Sequence, residues 1–369
     1  KNVAMCDLVA AWNVDKFYDA WMCDTDGVPT SDVCSWQQVS CDGGVVSSIG
    51  GFNADNFMYG SIPSSIGELT GLTYFNISDM YLYNPDTIPT TIGSLVNLQV
   101  FAFAGVSASS PLPTSMGLLS RLQVLDLSEN YMKDQLPTFI GELVSLQVLD
   151  ISDNYFTGSF PTEIGLMSSL QVLEMIDVRY IYGTIPTSIG QLGTLQVLNL
   201  NDNDFSGPIP TSIGQMSSLE MIDLYFSFYM SGSIQTSICS LYRLTYLDIS
   251  KSYKIGGQLP SCIGDMSSLQ VMNLESIKTT GSIPTSLGQM SSLKVLDLSR
   301  AYSMSGSIPT SIGMLNKLIY LDLAYNDFIG ELPSSMGNMI SLQTMNLSYN
   351  RFSGSLPSSL GMMVNLDTL

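Results

Sequence analysis

A leucine opening an L-x-x-L-x-L unit recurs along this chain at Leu72, Leu98, Leu122, Leu146, Leu170, Leu195, Leu219, Leu244, Leu269, Leu293, Leu318, Leu342 and Leu366. Successive spacings are 24 or 25 residues, except the first, which is 26. Self-similarity at such a period marks a solenoid, because one repeat cannot bury its apolar face alone and stacking the repeats closes a continuous core. The repeat therefore overrides the two or three domains that 369 residues would ordinarily suggest. The chain reads as an N-terminal cysteine cap over residues 1–45, then an α/β solenoid over 46–369 of about 13 turns of 24–25 residues.

Each position in the repeat has a physical reason. In Leu146-Gln147-Val148-Leu149-Asp150-Ile151-Ser152 the period-2 rule turns Leu149 and Ile151 inward and Val148, Asp150 and Ser152 outward. Asn154 sits where the strand turns away, and its amide is expected to bond backbone groups that the turn would leave unpaired. Pro161 starts a short helical turn at little cost, since first-turn N–H groups have no intrahelical partner, and Gly165 is expected to end that turn with positive φ. The proline recurs at the same phase from Pro63 to Pro357, with a glycine four residues later from Gly67 to Gly361. One turn breaks both columns, with Gln235 for proline and Cys239 for glycine.

Composition narrows the function. The chain is 45% hydrophobic and 12% charged, so it can bury a long core and is not of the disordered class. Thirty-two acidic against thirteen basic residues leave a net charge of -19, which disfavours nucleic acid and anionic membranes and leaves cationic partners, metal ions and neutral glycans open. There is no histidine, which excludes His-based nucleophile systems and imidazole metal sites. No Gly-rich phosphate loop and no cysteine with a basic neighbour is present, so we expect no enzyme, no cofactor, and no catalytic or metal-ligating residue. No apolar run approaches the length of about 18 that a membrane span needs. The opening Lys1-Asn2-Val3 reads like the start of a processed mature chain.

The S-G-x-I-P segment, as in Ser206-Gly207-Pro208-Ile209-Pro210, together with the L-x-x-L-x-L phase, resembles the plant-type leucine-rich repeat of receptor-kinase ectodomains and secreted polygalacturonase-inhibiting proteins. The resemblance covers residues 46–369. It implies a right-handed superhelix with a parallel concave sheet, a second short strand, a convex side of 3-10 or short helical turns, and a disulfide-stapled helical cap. Cys34-Ser35-Trp36-Gln37-Gln38-Val39-Ser40-Cys41 resembles the C-x-W-x-x-V-x-C segment of that cap, and by this likeness Cys34 pairs with Cys41 and Cys6 with Cys23. It also implies a secreted or cell-surface location, in keeping with six cysteines of which four crowd into the first 41 residues.

Met5, Leu8, Val9 and Trp12 share one helical face, so residues 4–20 read as an amphipathic capping helix. Cys239 and Cys262 fall on adjacent turns, two positions apart after one 25-residue turn is subtracted. With turns roughly 5 Å apart, a disulfide there is at the margin of reach and would staple the irregular turn. The last residues, Leu366 to Leu369, read as a strand with no C-terminal cap, an end that further sequence or a partner would have to cover.

In a solenoid equivalent positions stack into ladders, so function is sought in columns. The central concave column contains Asp126, Asp150, Glu174, Asp223, Asp248, Asp297 and Asp322, interspersed with Asn76, Asn199, Asn273 and Asn346. It reads either as a site for a basic partner or as a solvated consensus column. Asp79, Glu129, Asp153, Asp177 and Asp202 add charge beside it. An apolar column from Tyr74 through Val148 to Tyr320 runs alongside, as a contact face or simply as strand-forming residues. Phe228, Tyr253 and Tyr302 stand where the repeat wants Asn, with Tyr180, Tyr182, Tyr225, Tyr325 and Tyr349 nearby, an aromatic rim suited to protein or glycan contact or to filling the missing Asn ladder. Thr follows many of the prolines, as at Thr187 and Thr211, a ladder that either orders water or caps turns. Asn76 and Asn346 open N-x-S sequons and are candidate glycosylation sites.

Two functions follow as expectations. The first is an extracellular non-enzymatic module that binds a protein, peptide or glycan on its concave and rim surfaces. The second is a structural cell-surface or matrix protein whose copies assemble into filaments or arrays. Ice binding is a remote third.

Overall fold

The computed structural model describes residues 3–12, 21–52, 60–80 and 88–368. The chain divides into two compact units, Lys1–Ile181 and Tyr182–Leu369.

The first unit begins with the helix Val3–Trp12, which buries Met5, Leu8, Val9 and Trp12, the face read from the sequence. The expected continuation of that helix through residues 13–20 lies outside the described residues. Trp12 stacks on Phe75 with ring centroids 6.3 Å apart, and Trp21 packs on Trp36 at 5.2 Å. Cys6–Cys23 and Cys34–Cys41 are bonded, with Cα separations of 5.8 and 5.6 Å. Strands Val39–Asp42 and Val45–Gly50 form an antiparallel hairpin. The second of them pairs in parallel with Tyr74–Asn76, and the parallel run continues through Val100–Ala102, Val124–Asp126, Val148–Asp150 and Val172–Glu174. The middle residue of each later strand (Phe75, Phe101, Leu125, Leu149, Leu173) is fully buried, as alternation requires.

The second unit repeats the same coil. Val197–Asn199, Met221–Asp223, Tyr246–Asp248, Val271–Asn273, Val295–Asp297, Tyr320–Asp322 and Thr344–Asn346 form one in-register parallel ladder. A second ladder runs through Asp204–Gly207, Tyr229–Ser233, Lys254–Gln258, Lys278–Gly281, Ser303–Gly306, Asp327–Gly330 and Arg351–Phe352. Cys239 and Cys262 are bonded, their Cα atoms 6.0 Å apart. The irregular turn still forms a 3-10 helix, Thr236–Ser240, with Gln235 in the extended conformation that proline takes elsewhere.

The return path corrects two expectations. Pro161 stands just before the 3-10 turn Thr162–Leu166 in extended backbone, and its carbonyl accepts from the Ile164 N–H. Gly165 lies inside that turn and does not end it with positive φ. What this glycine column supplies is space. A Cβ on Gly288 would lie 2.3 Å from the Ser311 carbonyl oxygen of the next coil, and one on Gly141 2.5 Å from that of Glu163. Positive φ belongs to the S-G-x-I-P glycine instead, +73° at Gly207.

Asn154 behaves as expected of a turn amide: fully buried, it donates to the carbonyls of Leu127, Ile151 and Ser152, and its oxygen accepts from the Met132 N–H. Ser152, read as outward-facing, is buried, and its hydroxyl accepts from the Ile176 N–H of the next coil. The aromatic residues expected at this asparagine position stand one residue further on. In those coils the buried position is filled by Ser227, Ser252 and Ala301, small enough for the interior. Ser252 takes over part of the amide's work, donating to the Leu224 carbonyl and accepting from the Ser227 N–H.

Candidate binding surface

Six of the seven carboxylates of the strand column first serve the backbone. Asp126, Asp150, Asp223, Asp248, Asp297 and Asp322 each accept, through Oδ1, from the N–H two residues on, at 2.8–3.1 Å. This short-range bond ends the strand and explains why aspartate or asparagine recurs here. Asp223, Asp248 and Asp322 are buried, so the outward reading fails for these three. Asp248 and Asp322 are further occupied at Oδ2 by the amides of Asn273 and Asn346. Burial also pushes Tyr246 and Tyr320, beside them, up to about 12, with the carboxylates adding to the shift.

In the first unit Asp126, Asp150 and Glu174 are half-exposed on successive strands. Burial raises the pKa of Asp150 and of Glu174, and the repulsion among these carboxylates raises it further, while Ser152 hydrogen bonds partly offset the shift at Asp150. Among the described residues no group of three or more His, Cys, Asp or Glu is arranged to hold a metal ion.

Three residues beyond this column the backbone turns left-handed in every coil. In the first unit Asp79, Glu129, Asp153 and Asp177 hold φ between 52 and 60°. Asp is one of the L-residues that tolerates this region. The main chain there is tied down, with Glu129 N–H donating to Ser152 O at 3.0 Å and Asp153 N–H to Ile176 O at 2.7 Å. Two residues further on, Tyr131 and Tyr155 point out of the coil, 49% and 41% exposed. Their rings stack at 5.9 Å, and Tyr155 meets Tyr180 at the same centroid distance.

These two ladders line a cavity of about 610 Å³ bounded by Glu129, Tyr131, Asp153, Tyr155, Asp177, Arg179 and Tyr180, with Asn130 and Asn154 at its floor. Arg179 binds Asp177 through both guanidinium arms, Nη2 reaching Oδ2 at 3.0 Å. Burial and the Asp177 charge raise the pKa of Asp153, and Arg179 partly counters them. Of the expected rim residues Tyr180 belongs to this cavity, together with Glu129, Asp153 and Asp177, which the sequence marked as added charge beside the acidic column. Tyr131 and Tyr155, next to the intact Asn130 and Asn154, lie outside the rim read from the sequence, which centres on the coils that lack the asparagine.

In the second unit Tyr182, Phe228, Tyr253, Tyr302 and Tyr349 are exposed, while Tyr225 and Tyr325 are half-buried. They form separate groups: Phe228 packs on Tyr253 at 5.4 Å, and Tyr325 stacks on Tyr349 at 4.2 Å. Cations of the same unit cover several of these rings. Lys251 lies over Tyr225 at 5.1 Å, Lys254 over Tyr229 at 4.9 Å and Arg300 over Tyr325 at 5.1 Å. Asn76 and Asn346 are half-buried, with their side-chain amides donating to Tyr74 Oη and Asp322 Oδ2.

Parallel three-residue strands, 3-10 return turns, stacked coils and a disulfide-bonded N-terminus define a leucine-rich-repeat solenoid. Residues 121–143, 145–167, 194–216, 317–339 and 341–363 each match the Leucine Rich Repeat family model. No curated protein matches the chain. Among solved structures it is similar to PEPR1 in the PEPR1–AtPEP1 crystal structure, at 28% identity and TM-score 0.83 over 98% of this chain and 50% of that one. The plant peptide hormone receptor RGFR1, solved in complex with RGF2, is 30% identical with TM-score 0.68, covering 85% of this chain and 57% of that one. A TDR receptor is 28% identical with TM-score 0.66, covering 84% and 61%. The chain thus spans between half and about three-fifths of the length of these structures.

Proposed function

We propose that this chain is an extracellular, non-enzymatic recognition module and that its first unit binds a peptide or protein segment in the groove of Tyr131, Tyr155 and Tyr180. The observation that carries this reading is the exposed, stacked tyrosine ladder over a cavity of about 610 Å³. Tyrosine offers large contact area at low entropic cost; Tyr131 and Tyr155 share one repeat position on consecutive coils and Tyr180 extends the row from the position after it, more than strand packing needs. Similarity to a plant peptide hormone receptor supports a peptide over a glycan as ligand. Three disulfides support an oxidising compartment, and hence secretion or cell-surface display.

The test is selection of a displayed random-peptide library on the immobilised full chain. The Tyr131→Ala/Tyr155→Ala/Tyr180→Ala variant serves for counter-selection. Peptides retained by the parent and lost from the variant support the assignment. A library that yields no binder, or only binders indifferent to the three tyrosines, overturns it.

A further inference from the structure

We infer that the groove of the first unit takes a cationic, extended peptide segment, with lysine or arginine side chains seated over Tyr131 and Tyr155 and paired with Glu129 and Asp153. This rests on the peptide-binding reading above and names its ligand chemistry.

Two independent observations lead to it. The first is charge. Glu129, Asp153 and Asp177 line the groove against Arg179 alone, so the cavity keeps an excess of negative charge, within a chain of net charge -19 that draws cations from a distance. The second is how the chain pairs tyrosine with cations elsewhere, at other positions of the repeat. In the second unit Lys251, Lys254 and Arg300 sit 4.9–5.1 Å from the ring centres of Tyr225, Tyr229 and Tyr325. Lys251 also donates to the Tyr225 hydroxyl at 3.2 Å, and Arg300 reaches Glu275 at 3.7 Å. Aromatic face, cation and carboxylate are assembled there from one chain. In the first unit the faces and the carboxylates are present, and the left-handed positions that carry Lys251 and Arg300 carry Glu129 and Asp153 instead. A partner supplies the cations.

The spacing fits an extended segment. Alternate side chains on one face of a strand lie about 6.8 Å apart, close to the 5.9 Å between successive rings. Flexible lysine and arginine stems absorb the difference, and their methylenes cover the rings while the charged heads reach the carboxylates.

The experiment titrates the full chain with octalysine, with fully acetylated octalysine and with octaglutamate at physiological salt, by calorimetry. Octalysine is expected to bind and the other two are not. Tyr155→Ala should weaken octalysine about two- to thirty-fold, the range a cation–π contact supplies, while Tyr155→Phe stays close to the parent. Asp153→Asn should weaken it as well. Glu142→Gln removes one exposed charge from the same unit outside the groove and should leave affinity unchanged. Thermal melts confirm that these surface variants fold. Equal octalysine affinity in the parent, Tyr155→Ala and Asp153→Asn, or equal losses for Asp153→Asn and Glu142→Gln, would show attraction by net charge only and overturn the inference. Library peptides that need the three tyrosines but carry no Lys or Arg would sink this inference and leave the peptide-binding reading standing.

Discussion

Replacing Asp297 by asparagine should stabilise the protein at neutral pH and do nothing for it in acid. Asp297 ends the strand Val295–Asp297, and its Oδ1 accepts from the Ser299 N–H at 2.9 Å. Burial pushes its pKa up to about 6; Ser299 pulls it down, and the charges of Asp322 and Glu275 push it up again. An unfolded aspartate titrates near about 3.9. The folded value is therefore the higher one, so between these two values the folded state binds more protons than the unfolded state. Stability falls as pH rises through that window, and the whole cost is present above about pH 6. A shift of about two units corresponds to about 3 kcal/mol at most, and because Asp297 is half-buried, solvent screening reduces this to about 1–2 kcal/mol.

Asp297→Asn removes the charge and keeps the Oδ1 acceptor, so it isolates the electrostatic cost from the turn bond. Urea melts at pH 4, 5, 6, 7 and 8 should show a gain of about 1–2 kcal/mol at pH 7 and 8, shrinking to nothing at pH 4, with melting temperatures moving by about 1–3 °C. A gain of equal size at pH 4 and pH 7 would refute the linkage argument. A loss at pH 7 would show that the ionised carboxylate strengthens the Ser299 bond by more than burial costs it.

Asn154→Ala should destabilise the protein by about 2–4 kcal/mol, since it takes the acceptor from the buried Met132 N–H and a donor from the Leu127 and Ile151 carbonyls, while the Ser152 carbonyl keeps the Glu129 N–H; hydrogen exchange at the Met132 amide should accelerate in step. Gly288→Ala should cost about 1–3 kcal/mol in urea melts, because its Cβ meets the backbone oxygen of Ser311 at 2.3 Å and two stacked coils must part to admit it.

The coil was legible because its period is long, regular and physically overdetermined. Leu149 is buried, Asn154 bonds the turn and Pro161 precedes the return helix, each for a reason visible in one repeat. What a single repeat cannot show is the distance to the next one. Gly288 reads equally well as a turn residue or a spacer, and only the neighbouring carbonyl decides. The same holds for Asp248, whose second oxygen is claimed by Asn273 of the following coil, so an apparently outward charge is already engaged. The register of three rim aromatics was hidden for a more local reason. Ser227 and Ser252 do the buried work of asparagine with smaller side chains, so the conspicuous aromatics beside them stand out in its place.

The left-handed position of each coil separates shape from recognition. The backbone demands positive φ there, at a cost of roughly 1–2 kcal/mol for an ordinary L-residue and less for aspartate. Asp79, Asp153 and Asp177 therefore need no explanation beyond the turn. Phe226, Lys251, Arg300, Tyr325 and Tyr349 have no such local preference, yet they occupy the same φ region. Their identity must be held by what they touch: Lys251 its tyrosine, Arg300 a tyrosine and Glu275, Tyr325 its stacked partner Tyr349. At Lys251, Arg300 and Tyr325 of the second unit the strained position is thus filled by residues that cover a neighbouring ring. In the first unit Glu129 and Asp153 hold that position, and Tyr131 and Tyr155 beside them stay exposed.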